Sequence, residues 1–382
     1  MSADDVTETV EQALDPYVES GHLPGYVAGV NIDGETAICA GGTVALGSED
    51  PMVPQTIFRI ASLSKTVGAV LALTLVQDGT IALDDEVGRW LPELAAPRVL
   101  RTAAAQLDDT VPARRPILVG DLLTMTAGFG LLLGDSPLRA AMVANGLMPG
   151  PFAPPFSPDD FIARLGALPL AFHPGERWLY HTCADVLAVL IARASGRSCG
   201  ELLRVRIAEP LEMIDTRFYT TAIERLATAY MPTASGLELL DPPAGVFSRA
   251  PAFEALGSGL VSTIPDFLAL QTMLLDGGSP ILDRSSVELL GGDRLEGPQR
   301  ESAQAFLGSG RSWGLMAEVL LEPDDSGLGP GSFGWMGGTG TTAYVDPGHR
   351  LCGVLFTQRA MESNRPTEVF GEFWRAVYEG TG

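Results

Sequence analysis

β-prone segments stand at both ends of this chain, and the region between them has the residue spacing of helices. Near the start, residues 26–32 and 35–40 are short β-prone runs separated by Asp33 and Gly34, the pair that a two-residue hairpin prefers. Strand patterns return after Gly257 and are again linked by short turns. Strands joined in this way predict an antiparallel sheet built from both ends of the chain. The region between them then folds as an insertion.

This segmentation predicts an α+β fold with two domains. Residues 1–78 and 251–382 form a discontinuous sheet domain, and residues 79–250 form a mostly helical inserted domain. An amphipathic first helix, with apolar residues at helical spacing from Val6 to Val18, and a last helix are expected to cover one face of the sheet. The predicted helices after the first span residues 62–77, 117–126, 159–168, 184–194, 199–207, 264–275 and 366–378, and the later strands span residues 259–263, 313–321, 331–337, 342–345 and 351–357.

Residues 129–158 are a long apolar segment rich in glycine, proline and methionine. Compact domains rarely keep so long a loop without a use. We interpret the segment either as a lid over a pocket or as an ordinary surface excursion, and the sequence leaves both open.

Charge and composition exclude several classes of function. The net charge is −22, which repels phosphate backbones and anionic lipid headgroups, so we expect neither a nucleic-acid nor a membrane partner. No uninterrupted apolar run reaches the length of a membrane span. Residues 1–10 are polar and acidic and lack the pattern of an export signal, so we expect a cytoplasmic protein. The oligomeric state stays open.

Cysteine and histidine spacing gives no sign of a metal site. The cysteines are scattered without a Cys-x-x-Cys pair, which favours reduced thiols over zinc or a disulfide framework. The histidines form no metal-binding motif. We therefore expect no metal and no cofactor. The residues concerned are Cys39, Cys183, Cys199 and Cys352, together with His22, His173, His181 and His349.

Lys65 is the only lysine in the chain, and the other 24 of its 25 lysine and arginine residues are arginines. It stands three positions after Ser62, so the two side chains meet if they share the first turn of a helix. A guanidinium stays protonated at any working pH, whereas an amine can lose its proton when it is buried. Lys65 is therefore a candidate base for the Ser62 hydroxyl, which would be a nucleophile.

Two further segments can complete such a site. Tyr180 is a candidate second base or a proton shuttle to the leaving group, although a lone tyrosine is more often a packed side chain. Residues 333–341 are rich in glycine, which permits close approach of a ligand to the backbone, and the amide of Gly338 is a candidate oxyanion donor beside the amide of Ser62. A plain glycine-rich hairpin is the alternative for this segment.

In this order and spacing, the three segments resemble the serine β-lactamase and penicillin-binding-protein superfamily, whose first motif is Ser-x-x-Lys. The resemblance is closest to the class C-like branch, with its family VIII carboxylesterases and related acyltransferases. It implies a β-lactamase/transpeptidase-like fold, Ser62 as nucleophile, Lys65 and Tyr180 as the proton-handling pair, and the amides of Ser62 and Gly338 as the oxyanion hole. Further segments that resemble sequences of this superfamily lie at residues 122–128, 174–178, 210–216 and 257–263.

Two departures from the family pattern narrow the function that the resemblance implies. Thr182 stands where the family's second motif usually has asparagine, and Trp335, Met336 and Gly337 occupy the position of Lys-Thr-Gly. The missing ammonium would bind the carboxylate of a β-lactam or a peptide, so an ester or thioester fits better. These four residues are then candidates for substrate binding.

The resemblance thus implies a serine acyl hydrolase or acyltransferase that forms an acyl-enzyme on Ser62. Its partners would be a small-molecule acyl donor and, for a transacylase of natural-product biosynthesis, an alcohol or amine acceptor. An intracellular β-lactamase or D-amino-acid peptidase-like enzyme is one alternative, and an acylatable sensor without turnover is another. A third reading takes the Gly-x-Ser-x-Gly pattern around Ser198 as a hydrolase elbow, but the preceding run is helical, and we expect Ser198 to cap a helix instead.

Overall fold

The computed structural model describes residues 3–380, and the first two and last two residues of the chain lie outside the described part. A seven-stranded antiparallel sheet combines strands from both ends of the chain, as predicted. In order across the sheet the strands are β2 (Glu35–Gly42), β1 (Gly25–Ile32), β13 (Leu351–Thr357), β12 (Thr341–Asp346), β11 (Phe333–Gly337), β10 (Glu318–Leu320) and β9 (Arg311–Trp313).

The predicted hairpin between β1 and β2 is confirmed. Asp33 and Gly34 have φ values of 49° and 89°, the left-handed conformation that this kind of turn requires at both central residues. The side-chain oxygen of Asn31 accepts a hydrogen bond from the Gly34 amide at 3.2 Å, and β1 and β2 pair from Ile32 and Glu35 onward.

Helices cover both faces of the sheet. The first helix, α1 (Ala3–Glu19), and the last, α11 (Glu368–Glu379), pack against each other and on one face, whereas α8 (Ile264–Leu275) packs on the other. Two glycines mark these contacts: a Cβ at Gly353 would lie 2.9 Å from Trp374 of α11, and one at Gly29 would lie 2.6 Å from Ile264 of α8. The predicted fold class and its flanking terminal helices are therefore confirmed.

The remaining α-helices of the described part lie between β2 and β11, together with three pairs of short strands. The helices are α2 (Ser64–Gln77), α3 (Val119–Leu123), α4 (Pro137–Ala144), α5 (Pro158–Gly166), α6 (Thr182–Ser195), α7 (Cys199–Leu203), α9 (Arg284–Gly291) and α10 (Gly297–Leu307). The strand pairs are β3 (Phe58–Arg59) with β8 (Val261–Ser262), β4 (Arg98–Leu100) with β5 (Thr110–Pro112), and β6 (Ala229–Thr233) with β7 (Gly236–Asp241). No helix in the described part is long and apolar enough to cross a bilayer.

The structure differs from the sequence-based expectation in its less regular parts. Helix α4 lies inside the predicted loop over residues 129–158, where Ser136 caps it by accepting a hydrogen bond from the Arg139 amide and where Leu138 and Met142 are buried. The predicted strand over residues 313–321 is two strands, because the chain turns between them and Met316 adopts a φ of 60°. The β6–β7 hairpin and the helices α9 and α10 were not predicted.

A buried ion pair ties β3, just before Ser62, to the β6–β7 hairpin. The Arg59 Nε donates to Asp241 Oδ2 at 2.6 Å, and both side chains are almost fully buried. The same guanidinium donates to the carbonyl oxygens of Ala227 and Pro242. One buried cation thus connects β3 to acceptors before and after the β6–β7 hairpin.

Replacing Arg59 should therefore destabilise the protein strongly. We expect Arg59→Met to lower the free energy of unfolding by about 3–5 kcal/mol, because it leaves the Asp241 carboxylate buried without its partner. The matched control is Arg350→Met, which breaks the exposed pair of Arg350 with Asp33 and should cost less than about 1 kcal/mol. Urea unfolding measures both, and equal costs would contradict this interpretation of the buried pair.

Candidate active site

Ser62 lies in a single 3-10 turn, Ala61–Leu63, that continues into α2. The predicted helix start at residue 62 is therefore displaced, since α2 itself begins at Ser64. Ala61 has a φ of 42°, which is uncommon for a residue with a side chain. This sharp turn leaves Ser62 half-buried at the start of the helix, whereas Lys65 is fully buried.

The Lys65 amine has three polar neighbours. Its Nζ lies 2.9 Å from Ser62 Oγ, 2.5 Å from the carbonyl oxygen of Gly257 and 3.3 Å from His181 Nδ1. It also lies 4.7 Å from the centroid of the Tyr180 ring. The structure thus brings the two residues of the Ser-x-x-Lys motif into hydrogen-bond contact and surrounds the amine with groups from two other parts of the chain, the Tyr180–His181 segment and Gly257.

Burial controls the charge of this amine. Loss of hydration lowers the pKa of Lys65 to about 7, while the negative charge of Asp185 acts in the opposite direction. An amine with this pKa is neutral in a large fraction of molecules near neutral pH, and a neutral amine can accept a proton. The environment therefore makes Lys65 chemically able to act as a base.

Tyr180 lies within a group of aromatic rings beside the serine. Its hydroxyl accepts a hydrogen bond from Trp335 Nε1 at 2.6 Å and also interacts with the Ser62 side chain. Burial raises the pKa of Tyr180, whereas the hydrogen bonds to Ser62 and Trp335 lower it. The raised pKa favours a protonated phenol, which suits a shuttle more than a second base. Phe306 and Trp178 stack against the ring.

The end of β11 packs against the backbone that leads into Ser62. β10 pairs only with Phe333 and Gly334, so β11 has an unpaired edge beyond them. A Cβ at Gly337 would lie 2.4 Å from the Ile60 carbonyl oxygen, which explains why glycine is needed at this position. Gly338 follows, half-exposed, with no atom within 4 Å of the place where its Cβ would be. Open space therefore adjoins the predicted oxyanion donor.

The predicted substrate-binding residues are buried. Trp335 and Met336 are 4% and 7% exposed, and the Trp335 indole is committed to Tyr180. Thr182 begins α6, and its hydroxyl has no hydrogen-bond partner among residues 3–380. Gly337 packs directly against the carbonyl oxygen of Ile60. Direct contact of these four residues with a substrate stays a prediction.

Two residues that were not assigned to the site also lie in it. His181 approaches the Lys65 amine, and its Nε2 lies 3.4 Å from Asp185 Oδ2. Asp185 in turn accepts a hydrogen bond from the Gly257 amide at 2.8 Å. The adjacency of His181 to Tyr180 was the only signal in the sequence, and it does not tell where the imidazole points.

Two cavities adjoin the site, and both are partly lined by residues 129–158, the segment interpreted either as a lid or as a surface excursion. An apolar pocket of about 450 Å³ opens beside Tyr180 and is lined by Leu131, Leu132, Phe172 and Phe306 among others. A smaller cavity of about 140 Å³ lies between residues 146–155 and the side chains at the start of α6. The described residues contain no group of three or more side chains arranged to hold a metal ion.

The elbow interpretation of Ser198 is not supported by the structure. Gly196 ends α6 with a φ of 70°, and the Ser198 hydroxyl accepts a hydrogen bond from the Glu201 amide at 3.2 Å. Ser198 is thus the N-cap of α7, as predicted, and it follows a helix where an elbow requires a strand.

Fold and site together define an enzyme of the serine acyl-transfer class with a Ser-x-x-Lys centre. A family model described as Beta-lactamase matches residues 10–368. Protein Rv1367c of Mycobacterium tuberculosis is 37% identical over 315 residues, which cover 78% of this chain and 76% of that protein. Esterase EstB of Burkholderia gladioli is 28% identical over 389 residues, covering 95% and 93% of the two chains.

Among solved structures, EstCE1, described as a hydrolase with promiscuous acyltransferase activity, superposes with a TM-score of 0.85 at 25% identity and covers 98% of this chain and 99% of its own. The chain belongs to the beta-lactamase family. It is a serine hydrolase or acyltransferase of the esterase and acyltransferase branch.

The hydrogen bond from Trp335 to Tyr180 can be tested by removing its donor. Trp335→Phe keeps an aromatic ring but loses the N–H, and we expect kcat for p-nitrophenyl butyrate to fall about tenfold, the value of one hydrogen bond. Trp178→Phe is the matched control, because Trp178 stacks on the same ring while its Nε1 has no partner among the described residues. Equal losses in the two variants would contradict a specific role for the Trp335 indole.

Proposed function

We propose that the protein transfers acyl groups through an ester on Ser62, with small-molecule esters or thioesters as donors. The observation that carries the proposal is the 2.9 Å contact between Ser62 Oγ and a buried amine whose pKa is lowered to about 7. A serine hydroxyl becomes a strong nucleophile only when an adjacent base takes its proton. Lys65 is in position to do so.

In the proposed acylation step, the Ser62 hydroxyl proton moves to the Lys65 lone pair as Oγ bonds to the substrate carbonyl carbon. The carbonyl oxygen becomes an oxyanion, which the backbone amides of Ser62 and Gly338 would stabilise. Support for Gly338 comes from the packing of this segment: the Thr339 and Thr341 hydroxyls donate to the carbonyl oxygens of Arg59 and Ile60, which lie three and two residues before the serine.

Collapse of the oxyanion breaks the bond to the leaving group, which needs a proton. We assign Tyr180 as the shuttle that delivers this proton from Lys65. Its raised pKa keeps the phenol protonated, and its hydroxyl interacts with Ser62, so it can pass one proton on while receiving another. Water, an alcohol or an amine then attacks the acyl-enzyme by the reverse sequence of proton transfers.

The apolar pocket beside Tyr180 supports an apolar group on the substrate. Its lining of leucine and phenylalanine side chains would bind a hydrocarbon portion of the ester by excluding water from it. At the family's Lys-Thr-Gly position the chain has Trp335. Its buried indole carries no positive charge, so it cannot form an ion pair with the carboxylate of a substrate. A neutral apolar ester is therefore the proposed donor class, in preference to a β-lactam.

Hydrolysis and acyl transfer differ in how well water is excluded from the acyl-enzyme. The proposed lid over residues 129–158 contributes to both cavities next to the site. A lid that closes over the acyl-enzyme would support a transacylase of natural-product biosynthesis.

We propose the domain division predicted from the sequence, with residues 1–78 and 251–382 in the sheet domain and residues 79–250 in the helical domain. We also place the enzyme in the cytoplasm. The four free, buried cysteines suit such a reducing compartment.

The acyl-enzyme can be detected directly by intact mass. Incubation with p-nitrophenyl butyrate should add one butyryl group, mapped to Ser62 by peptide mass. Lys65→Arg keeps the charge but cannot act as a base, so we expect its acylation rate to fall at least about 100-fold. Ser62→Ala is the blank. Label on another residue, or undiminished acylation of Lys65→Arg, would refute the proposal, and a label released only over hours would indicate a sensor.

The apolar pocket can be tested by filling its mouth. Ala305 is exposed on α10 at the pocket rim. We expect Ala305→Phe to reduce the preference for esters with long acyl or alcohol chains about tenfold, the value of a few buried methylenes. Ala140→Phe, an exposed alanine of α4 outside the pocket, is the control. We would compare kcat/KM across esters of increasing acyl length and increasing alcohol length. An unchanged preference in both series would exclude this pocket.

A further inference from the structure

The backbone at His181 is held in a strained turn. Its φ and ψ are 82° and −68°, and the Thr182 amide donates across it to the Tyr180 carbonyl oxygen at 3.2 Å. These are the values of a γ-turn in its rare, strained form. A non-glycine residue keeps such a conformation only when its surroundings enforce it, and such residues concentrate at functional sites.

The imidazole of His181 lies between the proposed base and a buried carboxylate. Its Nδ1 is 3.3 Å from Lys65 Nζ, and its Nε2 is 3.4 Å from Asp185 Oδ2. The Gly257 peptide makes a second connection, since its carbonyl oxygen accepts from Lys65 and its amide donates to Asp185 Oδ1. A Cβ at Gly257 would lie 2.5 Å from Asp185 and 2.7 Å from His181, so only glycine leaves this arrangement undisturbed.

The donors and acceptors in this cluster define the imidazole tautomer. An ionised carboxylate can only accept, so Asp185 favours a hydrogen on His181 Nε2. Nδ1 then carries a lone pair and accepts from Lys65. The Gly257 carbonyl oxygen also accepts only. A neutral amine has two hydrogens and one lone pair, so these two acceptors take both hydrogens, and the lone pair is left facing Ser62 Oγ.

We propose that His181 and Asp185 are positioning residues that hold the Lys65 amine with its lone pair directed at the Ser62 hydroxyl. The inference rests on the proposed acylation of Ser62 and adds a role to His181, the unspecified middle position of the second motif, and to Asp185 beyond that motif. Both act through the Lys65 amine, His181 by direct contact and Asp185 by way of His181 and the Gly257 peptide. His181 must remain neutral in this arrangement, and both burial and the neighbouring Lys65 lower its pKa, against the opposing effect of Asp185.

The tautomer can be measured without any activity assay. The chain has four histidines, so ¹⁵N-histidine labelling gives a small set of two-bond ¹H–¹⁵N correlations, and single substitutions of His22, His173 and His349, which lie outside the site, assign His181 by elimination. At pH 8 we expect His181 to be neutral, with its hydrogen on Nε2. A hydrogen on Nδ1, or a charged imidazolium, would overturn the proposal, and this holds even if no variant at the site folds.

Asp185→Asn should reverse the tautomer. In this variant the side-chain oxygen of residue 185 still accepts from the Gly257 amide, so the new NH₂ group faces His181 Nε2. Because the NH₂ group donates, Nε2 must accept, and the imidazole hydrogen moves to Nδ1. There it donates to the Lys65 lone pair, which is then no longer free for Ser62. A comparable change of tautomer inactivates serine protease triads. We expect the acylation rate to fall at least about 100-fold with little change in KM, because positioning of the base acts in the chemical step.

A double-mutant cycle separates positioning from general support of the fold. His181→Gly accommodates the backbone turn but removes the acceptor, and we expect acylation to slow about 10- to 100-fold. In that background Asp185→Asn should add less than about threefold, because no imidazole remains to be reoriented. His181→Asn, which returns an acceptor oxygen close to the Nδ1 position, should recover most of the lost rate.

The outcomes of this cycle also separate the inference from the function on which it rests. If the wild-type protein is not acylated at Ser62, the proposed function fails, and the tautomer still decides whether the cluster is arranged as described. If the wild-type protein is acylated but Asp185→Asn costs the same with and without His181, the proposed function stands and the positioning role is wrong.

Discussion

The buried amine of Lys65 is the group on which the rest of the site depends. An amine in this position loses its hydration, and within residues 3–380 its hydrogen-bond partners are the Gly257 carbonyl oxygen, the His181 imidazole and the Ser62 hydroxyl. Burial lowers the pKa of Lys65 to about 7, below the value of a free lysine. Between these two values the unfolded chain binds more protons than the folded one, so stability rises with pH across this window. Burial of this amine therefore lowers the free energy of unfolding at neutral pH.

The fold brings four segments that are distant in sequence to the region around Ser62 and Lys65. Ser62 and Lys65 come from the turn that starts α2, Tyr180 and His181 from the segment that starts α6, Gly257 from the loop before β8, and Gly338 from the end of β11. Close backbone approach at two glycines allows the convergence, because a side chain at Gly257 or at Gly337 would collide with its neighbours. The buried pair of Arg59 and Asp241 then anchors the strand that leads into the serine.

Regular local patterns could be predicted from the sequence, and contacts set by tertiary packing could not. The hairpin at Asp33 and Gly34 and the bounds of α8 follow from residues adjacent in the chain, whereas α4 was hidden by the glycines and prolines around it. The pairing of Ser62 with Lys65 follows from helical spacing. His181 was missed because a γ-turn held by tertiary contacts decides where its ring points. Trp335 was predicted to bind substrate, which stays a prediction, whereas its hydrogen bond to Tyr180 depends on packing and could not be predicted.

The most direct test uses the fact that Lys65 is the only lysine. Protein labelled with ¹³C-lysine has one Cε signal from a lysine side chain, and its chemical shift follows the charge of that one amine through a pH titration. This account predicts a midpoint near the value of about 7 that burial imposes. A midpoint at about 10.4, the value of an exposed lysine, would show an ordinary solvated ammonium and would contradict Lys65 as the base.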